Sequence, residues 1–155
     1  MDGVEAFIDG SKKLVDIFGY WPSFHDAEII ELTFWRGDVE PDAARYVFPV
    51  LKVILHVWEL SNEVNQLNPQ GHLVTLHHTL ATLRFHDVND FRMEGFNHQN
   101  AILGLSIIRE ERSQGPSPVF VVHFDPAFGM GATFTCARVE VVDAVSCSED
   151  GKSPA

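Results

Sequence analysis

The chain has 155 residues, 45% of them hydrophobic and 21% charged, a length and composition that suit one folded domain with a real core and exclude a disordered chain. Eleven Lys and Arg against 22 Asp and Glu give a net charge of −11, and the longest basic run is Lys12-Lys13. Without clustered cations, neither a nucleic-acid backbone nor an anionic membrane is expected as partner, whereas a basic protein is compatible.

Residues 3–18 carry helical periodicity. Val4, Phe7, Ile8, Leu14, Val15 and Phe18 share one stripe, and Gly10 weakens the middle. The stripe is expected to cover one face of a sheet. Gly19 can stop this helix in the left-handed conformation, and Pro22 holds Trp21 out of helical geometry. From Phe18 to Glu28 the chain packs four aromatics, a proline, the pair His25-Asp26 and a glutamate into eleven residues. Ser23 followed three residues later by Asp26 reads as a capping box for a single helical turn. Each aromatic can bury roughly 150–250 Å², so the stretch reads as a plug that pins the helix against the sheet.

Alternation marks the strands. Residues 28–36 form the first, with Ile30, Leu32 and Phe34 on one face and Ile29, Glu31, Thr33 and Trp35 on the other. A loop is expected over 36–45 and a second strand region over 46–60, where Leu51, Val53, Leu55 and Val57 oppose Lys52, Ile54, His56 and Trp58. After a polar connection over 61–72, residues 73–88 form a long strand. Leu73, Ala81, Leu83 and Phe85 face the core there, with His78, Thr82, Arg84 and His86 opposite. Shorter strands follow over 90–96, 102–109 and 119–124. A final strand over 132–145 places Phe134 and Cys136 on one face with Arg138 and Glu140. These elements predict an α+β fold: a mostly antiparallel sheet of about seven strands with an N-terminal helix packed on one face. Residues 1–145 make one domain and 146–155 a flexible polar tail.

No apolar run reaches membrane-spanning length, and Asp2 and Glu5 interrupt any basic-then-apolar signal pattern, so a cytoplasmic location is expected. Cys136 and Cys147 lack metal-type spacing and read as reduced thiols. His78 and His86 share a strand face but stand roughly 26 Å apart at about 3.3 Å per residue, so they cannot share one metal. No metal site or cofactor is expected. Nucleophile elbows and phosphate-binding glycine loops are missing, and Gly129-Met130-Gly131 reads as a tight connection. His25-Asp26 invites comparison with phosphohydrolases that carry a His-Asp motif, but those place their ligands on several helices and this chain reads as strands.

Trp21-Pro22-Ser23-Phe24-His25-Asp26-Ala27-Glu28, leading into a strand, resembles the opening motif of the bacterial toxin-immunity proteins grouped as immunity protein 50. Looser echoes are Leu83 to Val88, Gly95 to Ile102 and Phe128 to Cys136, so the resemblance spans about residues 18 to 143. It implies a single domain with a largely antiparallel sheet. It further implies a non-enzymatic role: binding a cognate toxin and occluding its active site. Candidate partner contacts are Trp21, His25, Asp26, Glu28, Trp35, Trp58, Asp87 and Asp90, because large aromatics dominate interface energetics and acidic side chains suit a basic toxin. A small-molecule or hydrolytic site around His25, Asp26 and Glu28 is the alternative, and a homodimer through a sheet edge is a third reading.

Overall fold

Leu51, Val53, Leu55 and Val57 are fully buried while the residues between them face outward, the alternation expected of a strand with one face on the core. The structure is a computed structural model that describes residues 3–40, 45–61 and 67–152. In chain order its elements are a 3-10 turn (Val4–Phe7), helix α1 (Lys12–Phe18) and ten strands: β1 (Glu28–Trp35), β2 (Asp38–Glu40), β3 (Arg45–Val47), β4 (Val50–Leu60), β5 (Thr75–His86), β6 (Asn89–Glu94), β7 (Ile102–Glu110), β8 (Val119–Pro126), β9 (Gly131–Cys136) and β10 (Arg138–Ser146).

Eight of these strands form two four-stranded antiparallel sheets, ordered β1-β4-β5-β10 and β6-β9-β8-β7, and β2 and β3 pair as a separate hairpin. The expectation of a single sheet of about seven strands is corrected here. The fold is sheet-dominated, with one short helix, rather than clearly α+β. The two sheets share one core. Phe85 of the first meets Phe124 and Phe134 of the second edge-on, with ring centroids 6.0 and 5.1 Å apart.

The sheets are joined by a bent ribbon. β5 pairs with β10 up to His86↔Arg138, and the pairing resumes in the other sheet at Asn89↔Thr135. On one limb the bend is made by Asp87 and Asp90, both at positive φ, around buried Val88; short polar side chains tolerate that conformation best. On the other limb Ala137 alone separates β9 from β10, and its N–H bonds the His86 carbonyl. Residues 132–145, expected as one strand, are therefore two. A single-residue offset flips every side chain, so Phe134 and Cys136 face the core together with Val139 and Val141, and Arg138 and Glu140 face outward.

A bulge in β1 has the same effect. Its register shifts between Ile29 and Glu31, burying Ile29 on the side of Leu32 and Phe34 and leaving Ile30 exposed. The expected helix over 3–18 is split at Gly10, which takes φ +71; a Cβ there would lie 2.4 Å from the Val141 carbonyl oxygen. That approach lets Asp9 bridge in parallel to Glu140 along the outer edge of β10. α1 then packs against β10 and β5, with Leu14 and Phe18 in the core, and ends at Gly19 in the left-handed conformation as the sequence indicates. The loop expected over 36–45 and the connection over 61–72 lie partly outside the described residues, and the former contributes β2. At the C-terminus, Cys147 donates its N–H to the His78 carbonyl, and Gly151 is buried against His56.

Candidate partner-binding surface

The stretch from Phe18 to Glu28 closes one end of the sandwich. Phe24 is buried at positive φ, and Trp21 packs edge-on against it at 5.4 Å while resting on the core. Ser23 accepts the His25 N–H through its hydroxyl, so the expected single helical turn is a tight side-chain-capped bend instead. His25 Nδ1 contacts the Leu103 carbonyl at 2.8 Å, and Nε2 stands 3.5 Å from Asp26 Oδ2. The Asp26 N–H bonds Ile102, and Glu28 bridges to Ala101. His25 and Asp26 thus stitch the start of β1 to the start of β7, their side chains otherwise open to solvent.

Beside this stitch lies Asn100, only 3% exposed. Its Oδ1 accepts the N–H groups of Asn97 and Met130, and its Nδ2 donates to the Asn97 carbonyl. Gly129 makes the approach feasible: at φ +75, a Cβ there would stand 2.2 Å from the Gln99 carbonyl oxygen. The stretches 95–102 and 128–136 therefore meet the 21–28 stretch at one end of the molecule.

The opposite end differs. Trp35, at the end of β1, is 49% exposed, and Val47 at the end of β3 and Phe48 just after it are 46% and 54% exposed. Val47 joins Trp35 in walling a groove of about 410 Å³ completed by Thr33, Val50, Lys52, Arg84 and His86. Phe48 walls a second groove of about 480 Å³, with Asp87, Asn89, Asp90, Arg112 and Pro116 along it. An apolar ridge thus stands between a cationic and a partly acidic groove. Of the residues singled out from the sequence, Trp35, Asp87 and Asp90 gather here. His25, Asp26, Glu28 and Trp21 lie at the other end.

A profile of the family described as immunity protein 50 matches residues 10–146. The chain belongs to this family. No curated protein and no solved structure matches it. In this immunity protein 50 chain, the stretches 21–28, 95–102 and the start of 128–136 lock the closed end, where Phe24, Ala27, Asn100 and Met130 are all buried, whereas Leu83 to Val88 runs to the other end, where Arg84, His86 and Asp87 line the grooves. The role of the closed-end stretches is architectural, and the exposed ridge is built from other residues.

Trp58 stands apart from both ends of the candidate set. It stacks on His78 on the outer face of the first sheet, next to a contact that sequence reasoning missed. His56 Nε2 and His78 Nδ1 are 2.9 Å apart, and Thr75 Oγ1 lies 2.7 Å from His78 Nε2. His56 is 4% exposed because Gly151 sits over its ring. Burial, reinforced by the neighbouring His78, pushes the His56 pKa down, and Asp150 counteracts this. Burial likewise lowers that of His78, against the pull of Glu149. The only sequence signal was position: His56 and His78 occupy the outward set of two strands, but pairing needs the register shift between Val57 and Glu59. Among the described residues no group of three or more His, Cys, Asp or Glu is arranged to hold a metal. Among the described residues, too, no helix is long and apolar enough to cross a membrane.

Proposed function

We propose that this chain is an immunity protein that binds a cognate bacterial toxin in the cytoplasm and neutralises it by covering its active site, using the ridge of Trp35, Val47 and Phe48. The observation that carries this reading is the ridge itself. Three large apolar side chains stand about half exposed at one end of the sandwich and wall two grooves there, although Phe96, Leu103 and Phe128 are exposed at the other end. Exposed aromatics beside Arg side chains match the composition of interface hot spots, which are enriched in Trp, Tyr and Arg. Family membership supports the toxin as occupant. The charge of −11 favours a basic toxin, whose approach it would accelerate.

Binding is favoured over catalysis by the geometry at His25 and Asp26, where the imidazole is engaged with a backbone carbonyl and both side chains lie open to water. The test is capture of the toxin from lysate of the source cells, followed by measured affinity and toxin activity. One-to-one binding near 1 nM, about −12 kcal/mol, with loss of toxin activity is the expected result. Trp35→Ala should weaken it by about 2 kcal/mol, the scale of a hot-spot aromatic. His25→Ala and Asp26→Ala should neutralise the toxin as the parent does. Wild-type affinity in Trp35→Ala would remove the ridge from the interface, and a purified protein that turns over a substrate through His25 would replace the binding reading.

A further inference from the structure

We infer that the groove beside Trp35 receives a carboxylate side chain of the toxin, so that this acidic protein grips its partner through a cationic slot; the inference rests on the toxin-binding reading above. Sheet register places Thr33, Lys52, Arg84 and Glu140 in one row across β1, β4, β5 and β10, and Trp35, Val50, His86 and Arg138 in the next. The one carboxylate in these rows is already engaged. Glu140 Oε1 lies 3.0 Å from His86 Nε2 and 3.4 Å from Arg138, which also holds Asp9 at 2.6 Å. Glu31, the next along β1, faces Ile54 one row further on.

Lys52 and Arg84 are left directly opposite each other. Neither forms a side-chain hydrogen bond or a close ion pair among the described residues, although Arg84 acts through space on Glu140 beside it on β10. Like charges facing across a strand pair destabilise it, and Glu140, the neighbour of Arg84 on β10, offsets this on the Arg84 side alone. A chain with only 11 basic side chains has nevertheless set two of them in the groove against its most exposed tryptophan. An anion seated between them would relieve the repulsion, and the indole would cover its apolar stem. A protein carboxylate suits the position because the groove opens along the ridge that the toxin is proposed to cover.

Two electrostatic effects predict opposite signs for one variant. If only the overall negative charge matters, Lys52→Glu with Arg84→Glu adds negative charge and speeds association with a basic toxin. If the groove holds a toxin carboxylate, the same double variant repels it. The expected result is at least a tenfold loss of affinity, seen mainly as faster dissociation, with Lys52→Arg retaining wild-type binding. Affinity equal to or above the parent's would overturn the inference while leaving the toxin-binding reading intact. Should no toxin bind, that reading fails, and the groove is decided on the free protein by an NMR titration with benzoate. A saturable shift of the Trp35 indole N–H, given by benzoate but not by neutral benzamide and abolished in Lys52→Gln/Arg84→Gln, supports an anion slot. An unshifted indole, or the same shift in the double variant, overturns it.

Discussion

The His56–His78 contact is a stability device with a predictable sign. At 2.9 Å the two facing nitrogens are within hydrogen-bond distance, one ring donating to the other, and protonating both rings would break that bond and place two cations against each other under the turn 148–151. Burial holds both pKa values below the ordinary 6.5. The unfolded chain, with ordinary histidines, binds more protons as pH falls through 6.5, so stability rises with pH in that window. The contribution is therefore complete above about pH 6.5 and is lost as pH falls from there through the depressed folded values, below which both states are protonated and the slope ends. Thermal unfolding followed from about pH 7 to about pH 5 should show a falling midpoint, and the double variant His56→Asn/His78→Asn should flatten that slope. An equal slope in parent and variant would place the acid sensitivity elsewhere. Cys136 makes a simpler case. Burial pushes its thiol up to about 12, so it stays protonated and should react with thiol reagents only as the protein unfolds.

At the level of elements, the closed end depends on Asn100. Replacing it by Ala removes the acceptor of two N–H groups, including that of buried Met130, and the donor to the Asn97 carbonyl. Each buried group left unsatisfied costs about 1–3 kcal/mol, so denaturant unfolding of Asn100→Ala should show a loss of about 2–4 kcal/mol. A loss below about 1 kcal/mol would mean that water replaces the amide. Gly129→Ala should be damaging for a different reason, since its Cβ meets the Gln99 carbonyl and its φ is positive.

The same elements show what the sequence could reveal. Alternation in β4 and β5 exposed their core faces because both strands are regular across the middle, but Leu73, expected on the core face with Ala81, Leu83 and Phe85, lies ahead of β5 and is exposed. The division of 132–145 was hidden because no Gly or Pro marks Ala137. Its trace is a change of parity: buried-type residues sit at 134 and 136 and then at 139 and 141. Ile29 and Leu32 show the same slip across the β1 bulge. Gly10, noted as a weak point in the helix, proved to be its break because a neighbouring carbonyl occupies the space of a Cβ.

For the whole molecule, the candidate surface was half legible. Trp35 could be singled out by residue type, but its exposure, and the burial of Trp21, depend on which sheet edge each reaches. The distinction matters for how the protein would meet its toxin. The charge of −11 acts over the whole surface and is screened by salt, with a Debye length of about 10 Å at 0.1 M and about 3 Å at 1 M. In the proposed complex the ridge would act only at contact, through apolar area that salt does not screen. Association with a basic toxin should therefore slow steeply as salt rises, while dissociation changes little. Trp35→Ala should do the reverse, speeding dissociation and leaving the salt dependence of association unchanged. Stopped-flow binding across a salt series separates the two. An association rate indifferent to salt would mean that the toxin carries no net positive field at the ridge, and that the acidity of this chain serves its solubility rather than its recognition.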